Sequence, residues 1–376
     1  MRILHTADWH AGKGLQGRGR IEECDAVLEE IVAVARREEV DGIIVAGDLF
    51  DAASPPPEAE RVVYRALLDL GEIAPVLVVP GNHDNERRLA AVAPAFARAN
   101  VTIRAFVAEE PVELTAKSGE TARIVLLPWL SQRYILRADK LMGLDADDLS
   151  QEYAARATRI ISHLARAFST GTVNLFAGHL TVAGSRLGGG ERVAQTIFHY
   201  WVDASVFPSD AHAVALGHIH KMQRIPAPCP LYYCGSPMQL DFSDADDSKH
   251  VLIIEASPSS PAEVTPVALT TGRKLRTITG SLADLSRMTG ETGDDFLRVV
   301  VKEKARAGLG DEVRALFPEA VKVVVDSDDA DQPPAPVERR RGASPGELFT
   351  AYLESRGVED RRLVDMFERL YEECVT

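Results

Sequence analysis

Ile3-Leu-His-Thr-Ala-Asp-Trp-His10 is a short, mostly apolar run that ends on an Asp-x-His pair, and the same grammar returns twice. Gly42-Ile-Ile-Val-Ala-Gly-Asp48 and Pro75-Val-Leu-Val-Val-Pro-Gly-Asn-His-Asp84 each close an aliphatic run with ligand-type side chains. Between them, Ile21–Arg37 carries apolar residues at helical spacing. Pro55–Leu70 opens on prolines, where a missing N–H costs a helix least. Continuous apolar strands alternating with helices predict a buried, parallel sheet. The three motifs then fall at C-terminal strand ends, where open α/β sheets gather their sites.

The pattern continues downstream. A helix over Gln151–Phe168 precedes a strand at Val173–Ala177 that runs into Gly178-His179, and Ala213–Leu216 runs into Gly217-His-Ile-His220. Leu231–Tyr233 and Val251–Ile254 are expected to complete a second, more antiparallel group. The fold class is therefore α/β, a two-sheet βαβ sandwich flanked by helices, over residues 1–269. The rhythm changes near Thr270. Strands at Lys274–Ile278, Phe296–Val301 and Val321–Val325 alternate with helices at Leu282–Met288 and Asp311–Phe317, which predicts a small α/β module over 270–325. Asp326–Pro336 mixes a charge run with prolines, so 326–343 reads as an extended linker. Ser344-Pro-Gly-Glu347 is a capping box that opens a helical tail over 344–376, with helices at Pro345–Ser355 and Glu359–Glu373.

At 376 residues the chain has room for two or three domains, and 45% hydrophobic with 26% charged residues is ordinary for a water-soluble protein. Met1 runs directly into the first motif, and no apolar run approaches the roughly 20 residues of a membrane span. A cytoplasmic protein without a membrane partner is expected. Cys24, Cys229, Cys234 and Cys374 show no CxxC pattern and read as reduced thiols. The net charge of −14 argues against a polyanionic partner until its distribution is read: residues 326–376 alone hold 13 acidic and 7 basic side chains. Lys13, Arg18, Arg20, Arg87, Arg88, Arg186, Arg192, Lys221 and Arg224 lean the other way, clustering beside the motifs. Any one of them alone is better read as a solvated loop charge.

Asp8, His10, Asp48, Asn82, His179, His218 and His220 offer carboxylate, imidazole and carboxamide donors without a thiolate, a set suited to Mn²⁺, Fe²⁺ or Zn²⁺. Each motif alone has a bland reading: a surface Asp-x-His, a common Gly-Asp, a Gly-Asn turn. Their succession along the chain, four of them directly after an expected strand, is what makes coincidence improbable. His218 and His220 would point to opposite faces of a strand, so the Gly-His-x-His segment must lie in a loop past Leu216. His5, His163, His199, His212 and His250 have no partner motif and are assigned to structure or solvent. No Gly-rich nucleotide loop with the required lysine and hydroxyl occurs, so any ATP-driven step needs a partner.

The ordered set DxH, GDxxD (Asp48 to Asp51), GNHD, GH and GHxH resembles the calcineurin-like metallophosphoesterase superfamily. More narrowly, Ile3–Lys13, Gly47-Asp-Leu-Phe-Asp51, Leu216–Lys221 and Tyr233-Cys-Gly-Ser-Pro237 resemble the SbcD family of nuclease subunits. The resemblance implies two divalent ions, of Mn²⁺ type. Asp8, His10, Asp48 and His220 would hold one, Asp48, Asn82, His179 and His218 the other, with Asp48 bridging. It implies that His83 serves as proton donor, oriented by Asp84, while the charge distribution beside the motifs is what points the flanking cations to DNA. It also implies a DNA-capping role for 270–325 and a homodimer within a heterotetramer, with the tail bound to the SbcC ATPase. The expected activity is 3′→5′ exonuclease and single-strand endonuclease action on DNA ends. A small-molecule phosphodiesterase would not need residues after 270, and a decayed, non-catalytic scaffold would not keep every ligand. In many relatives a histidine stands where Asp51 does, so nothing resting on that histidine carries over.

Overall fold

The computed structural model describes residues 1–130, 146–188 (backbone alone to 152) and 201–326, with helical residues at 349–350, 352–353, 362–364 and 366–367. Arg192 and His199 lie outside the described residues. So do most of the linker and tail.

One sheet runs in the order β14-β13-β1-β2-β3-β4. Here β1 is Arg2–Thr6, β2 Gly42–Ala46, β3 Val76–Val79, β4 Val101–Ile103, β13 Lys249–Ser257 and β14 Ser260–Leu269. The other runs β11-β12-β10-β7-β6-β5, built from β5 Val112–Thr115, β6 Thr121–Leu127, β7 Val173–His179, β10 Ala213–Gly217, β11 Gln223–Ile225 and β12 Leu231–Tyr233. Helices α1 (Ile21–Arg37), α2 (Pro57–Gly71) and α3 (Glu86–Phe96) cover the first sheet, burying Leu28, Ile31, Val63 and Leu67 against Val45, Val76 and Val78. Helix α4 (Ala146–Leu164) covers the second with Tyr153 and Ile161. Between the sheets Ile3, Ile44 and Leu77 meet Ile124, Leu126 and Leu175 in an apolar core. This is the four-layer sandwich that the alternating pattern predicts.

The second sheet differs from expectation. Its centre is parallel, β6-β7-β10-β12, and only its edges β5 and β11 are antiparallel. Val251–Ile254 belongs to the first sheet, antiparallel to β1. There Val251 and Ile253 face the helices while Leu252 and Ile254 face the inter-sheet core, so both faces of the run are covered. A strand apolar on both faces needs an interior position.

Strands β15 (Leu275–Gly280), β16 (Phe296–Val301) and β17 (Ala320–Val325) form a separate parallel sheet, packed with α5 (Leu282–Arg287) and α6 (Leu309–Leu316) around Leu285, Val299, Leu309 and Val313. A guanidinium clasp joins this module to the body. Arg20 is buried, bonds Glu23 through Nε and Nη2 at 2.8 and 2.6 Å, and donates Nη1 to the Gln239 carbonyl at 2.6 Å. Its guanidinium also lies 5.3 Å from the Phe296 ring centroid, while Arg273 covers that ring at 3.8 Å. Arg18 adds a bond to Glu319 at 2.8 Å and another to the Pro318 carbonyl. Among the described residues no helix is long and apolar enough to cross a membrane.

Arg20→Ala strands a nearly buried Glu23 (7% side-chain exposure) without its cation. Breaking such a pair costs about 3–5 kcal/mol. Denaturant unfolding should show a loss of that order, and a loss under about 1 kcal/mol would assign the clasp no more than a surface pair's worth.

Candidate metal centre

The first two motif loops are zipped together before any side chain is considered. The β1–β2 ladder continues past the strands: Asp8 N donates to Gly47 O at 2.9 Å, His10 N to Asp48 O at 3.0 Å, Ala11 N to Leu49 O at 3.0 Å and Asp51 N back to Ala11 O at 3.1 Å. Asp8, His10 and Asp48 all sit in left-handed backbone (φ 54, 46 and 52°), and His218 at φ 100°. For side-chain-bearing residues such dihedrals are costly and persist where the surroundings over-determine them. Four of the seven positive-φ non-glycine residues among those described are therefore ligand-type groups at strand ends. Two glycines permit the crowding. A Cβ on Gly81 would lie 2.1 Å from Asp48 Oδ1, and one on Gly217 would lie 2.0 Å from the Ala46 carbonyl.

Around this frame the donors converge. His10 Nε2 lies 3.1 Å from His220 Nε2 and 3.6 Å from Asp48 Oδ2. His179 Nε2 lies 3.4 Å from Asp48 Oδ2 and 3.0 Å from Asn82 Oδ1, which is also 2.8 Å from His218 Nδ1. Asp8 is fully buried and accepts from His218 N at 2.9 Å; Asp48 accepts from His83 N at 2.8 Å. Ligands at about 2.0–2.2 Å from one ion stand roughly 3–3.5 Å from each other, the spacing found here. Asp8, His10 and His220 form one compact group, and Asp48, His179 and His218 another.

Hydrogen bonding fixes which ring nitrogens are free. A carbonyl only accepts, so His179 Nδ1, 2.8 Å from Ala46 O, carries the proton. Its Nε2 lone pair then faces two oxygens, an arrangement that needs a cation or a second proton. Burial alone pushes His179 down, but the Asp48 charge and hydrogen bond, with Asp8, raise it to about 9. Burial likewise raises Asp8, whereas at Asp48 the surrounding imidazoles outweigh burial and hold the carboxyl well below the usual range. Burial and the neighbouring His179 push His218 down to about 3. The site thus presents carboxylates and bare imidazole nitrogens in water-poor surroundings, and these residues fit divalent cations.

Asp51 is the residue to which the motifs alone give no role. Its Oδ1 accepts from His10 Nδ1 at 3.2 Å and from Lys13 Nζ at 3.1 Å, so it orients His10 in the manner of a carboxylate behind a ligating imidazole. His83 Nδ1 is held at 2.8 Å by the Asp51 carbonyl, and its ring stands edge-on to His10 at 4.7 Å. Asp84 does not orient His83. Its carboxylate accepts from Leu49 N, Phe50 N and Gly81 N at 3.2, 3.1 and 2.8 Å, tying the GDxxD loop to the GNHD loop. An aspartate next to a histidine in sequence need not meet its ring, and three backbone donors compete better here. Trp129, just past β6, stacks on His218 at 5.0 Å. Its only signal in the sequence is an aromatic residue after a strand end.

Most of the motif-flanking cations are already partnered. Lys13 pairs with Asp51, Arg18 with Glu319, Arg88 with Glu60 and Lys221 with Asp247. Arg20 is buried in the clasp, which excludes the expected phosphate contact. Arg87 and Arg186 are exposed without a carboxylate partner among the described residues, and Arg224 lies 5.9 Å from the Tyr232 ring centroid. Of the histidines outside the motifs, His5 is fully buried, His212 Nδ1 accepts from Asn174 N, and His163 meets Glu109 at the surface.

Comparison with known proteins gives the family. The calcineurin-like phosphoesterase family matches residues 1–222. The chain is 36% identical over 281 residues to the SbcD subunit of the nuclease SbcCD from Bacillus subtilis strain 168, covering 73% of this chain and 71% of that protein. The Escherichia coli K12 protein of the same name is 31% identical over 297 residues, covering 76% and 72%. That of Rhodobacter capsulatus is 31% identical over 283 residues, covering 70% and 69%. The chain therefore belongs to the calcineurin-like phosphoesterases and, within them, to the SbcD nuclease family, which makes it a metal-dependent phosphodiester hydrolase.

Proposed function

We propose that the chain cleaves DNA phosphodiesters at a two-ion centre, with Asp8, His10, Asp48 and His220 holding one ion and Asp48, Asn82, His179 and His218 the other. The observation that carries this reading is the His179 ring: its proton is committed to Ala46, and its free nitrogen faces Asp48 and Asn82 oxygens across 3.4 and 3.0 Å. When bound, the ions supply positive charge at the phosphoryl oxygens and lower the pKa of water. Nitrogen and oxygen donors without thiolate fit Mn²⁺, Fe²⁺ or Zn²⁺ alike, and the choice of Mn²⁺ rests on the family resemblance. His83, with Nδ1 fixed by the Asp51 carbonyl, presents Nε2 for protonation of the leaving 3′ oxygen. Asp84 keeps the two loops in register and acts only through the backbone. Arg87 and Arg186 remain for phosphate contact, with Lys13 and Lys221 available on exchange of their carboxylates; Arg192, outside the described residues, keeps its assignment from the sequence alone.

The finer activity is 3′→5′ exonuclease and single-strand endonuclease action on DNA ends, with residues 270–325 as the cap beside the substrate path. The relatives' names place them in a complex, SbcCD, and the tail over 344–376 is the segment proposed to bind the SbcC ATPase, in a homodimer-based heterotetramer in the cytoplasm. Phe349 and Phe367 stack at 4.3 Å and 13°, pairing the two tail helices, while Tyr352 and Met366 remain 52% and 49% exposed. Such a small helical pair needs a further surface to bury those side chains.

His83→Ala should lower DNA hydrolysis by about 10²–10⁴-fold and leave both ions bound, whereas Asp48→Asn should lose ions as well as activity. Metal analysis beside a nuclease assay separates the two, and loss of ions in His83→Ala would make it a ligand instead.

Below about pH 9 the ion-free His179 holds an extra proton that an ion must expel. Ion affinity should therefore rise with pH, by about tenfold per unit for each proton released, in titrations between about pH 6 and pH 8. An affinity flat over that range would mean that the ion-free His179 does not hold that extra proton.

Deleting residues 340–376 should leave Mn²⁺-dependent hydrolysis of a short single strand nearly intact while abolishing co-purification with SbcC. Unchanged SbcC affinity would remove the tail from the interface.

A further inference from the structure

A buried ammonium lies under the second histidine of the GHxH loop. Lys249, the first residue of β13, is only 9% exposed. Its Nζ stands 3.3 Å from the His220 carbonyl, 3.1 Å from Ser236 Oγ and 3.8 Å from Asp244 Oδ2. Ser236 N donates to the same His220 carbonyl at 3.1 Å, and Ser236 Oγ donates onward to Met238 O at 2.9 Å. Asp244, fully buried, uses Oδ2 to hold Leu240 N at 3.0 Å and Asp241 N at 3.3 Å. Gly235, at φ 78°, completes the arrangement: a Cβ there would lie 2.8 Å from both His220 O and Met222 N, so the Cys234-Gly-Ser-Pro237 turn lies flat on the GHxH backbone.

An ammonium out of water is costly, and more so beside a centre that gathers dications. A methionine would fill nearly the same space without that cost. What the ammonium adds is a pair of hydrogen bonds, to the His220 carbonyl and to the serine that grips the same carbonyl. The GHxH loop has need of them. Two imidazoles two residues apart must turn to one centre, through a backbone already strained at His218. Holding the His220 carbonyl fixes the plane of the following peptide and, with it, the aim of the His220 ring.

We infer that Lys249, with Ser236 and Asp244 behind it, is a positioning residue for His220 and thereby sets the affinity of one ion without touching the other. The inference rests on the reading that His220 serves the Asp8–His10 ion alone. Removing a group that orients a ligand lowers metal affinity by about 10–100-fold.

The test is a Mn²⁺ titration of the full-length protein, free Mn²⁺ being read by electron paramagnetic resonance, with thermal unfolding in parallel. Wild type should show two sites and His220→Ala one. Lys249→Met should weaken one site by about 10–100-fold and leave the other unchanged. The double variant Lys249→Met with Asp244→Asn removes the buried carboxylate left without its cation. It should regain thermal stability yet keep the weakened site. If the double variant regained full affinity, Lys249 would be merely a charge partner of Asp244, and the inference would be wrong. Unchanged affinities in Lys249→Met, with one ion lost in His220→Ala, would overturn it equally. Two intact sites in His220→Ala would instead remove the ligand assignment itself, and the inference with it.

Discussion

Everything at the centre depends on how closely two sheets approach at their C-terminal strand ends. Gly217 on β10 lies so near the Ala46 carbonyl on β2 that no side chain fits between them, and Gly47 after β2 leaves no more room before the His179 ring at the end of β7. That contact brings Asp8 and Asp48 from one sheet within reach of His179 and His218 from the other. Alanines on both facing strands, Ala46, Ala177 and Ala215, keep the interface thin there. Larger residues such as Ile124, Leu126 and Leu175 fill it further away. A thicker core at the strand ends would separate the carboxylates from the imidazoles and leave two half-sites.

The same proximity makes the centre a region of stored conflict. Left-handed backbone at three ligand-type residues, buried carboxylates and nitrogens that face one another are each unfavourable in isolation. The layers around them absorb the cost. The outer cores under α1–α3 and α4 and the inter-sheet core are large clusters of buried apolar side chains, and the zipped loops at 8–11 and 47–51 fix the strained residues through backbone hydrogen bonds. Asp84 illustrates the economy of this arrangement. Burial and the Asp48 charge raise it to about 6, yet its position joins three backbone N–H groups that would otherwise be left without acceptors. Cations are the natural complement to such an assembly of lone pairs, and they relieve the conflict that the fold creates.

How much of this the sequence discloses depends on whether the governing contact is local. Strands β1, β2, β3, β7 and β10 are legible because each is an apolar run buried on both sides and punctuated by a glycine or a ligand-type residue. The seven ligand-type residues are legible because they end those runs. Long-range pairing is not. Nothing within Val251–Ile254 says which sheet it joins; the answer depends on the width of the first sheet and on which apolar faces remain uncovered. Arg20 misleads for the same reason. A cation ten residues after a motif looks like a phosphate contact until Phe296, nearly three hundred residues away, is seen beneath it. Asp84 misleads on the opposite scale, because adjacency in sequence says little about where a carboxylate points once backbone donors surround it.

The fate of the cations has a consequence for how a chain of net charge −14 handles a polyanion. Lys13, Arg18, Arg20, Arg88 and Lys221 each spend their charge on an internal carboxylate, so the body offers no broad basic face through them. Non-specific attraction to DNA scales with the number of phosphates neutralised, and these five side chains, already paired, would add little to it. Divalent ions would place positive charge at one point, in surroundings where it is poorly screened. Recognition built that way is strongest at the reacting phosphodiester and weak elsewhere along the strand. A chain whose cations are largely paired can in that way remain acidic and still attract a phosphodiester at the point of cleavage.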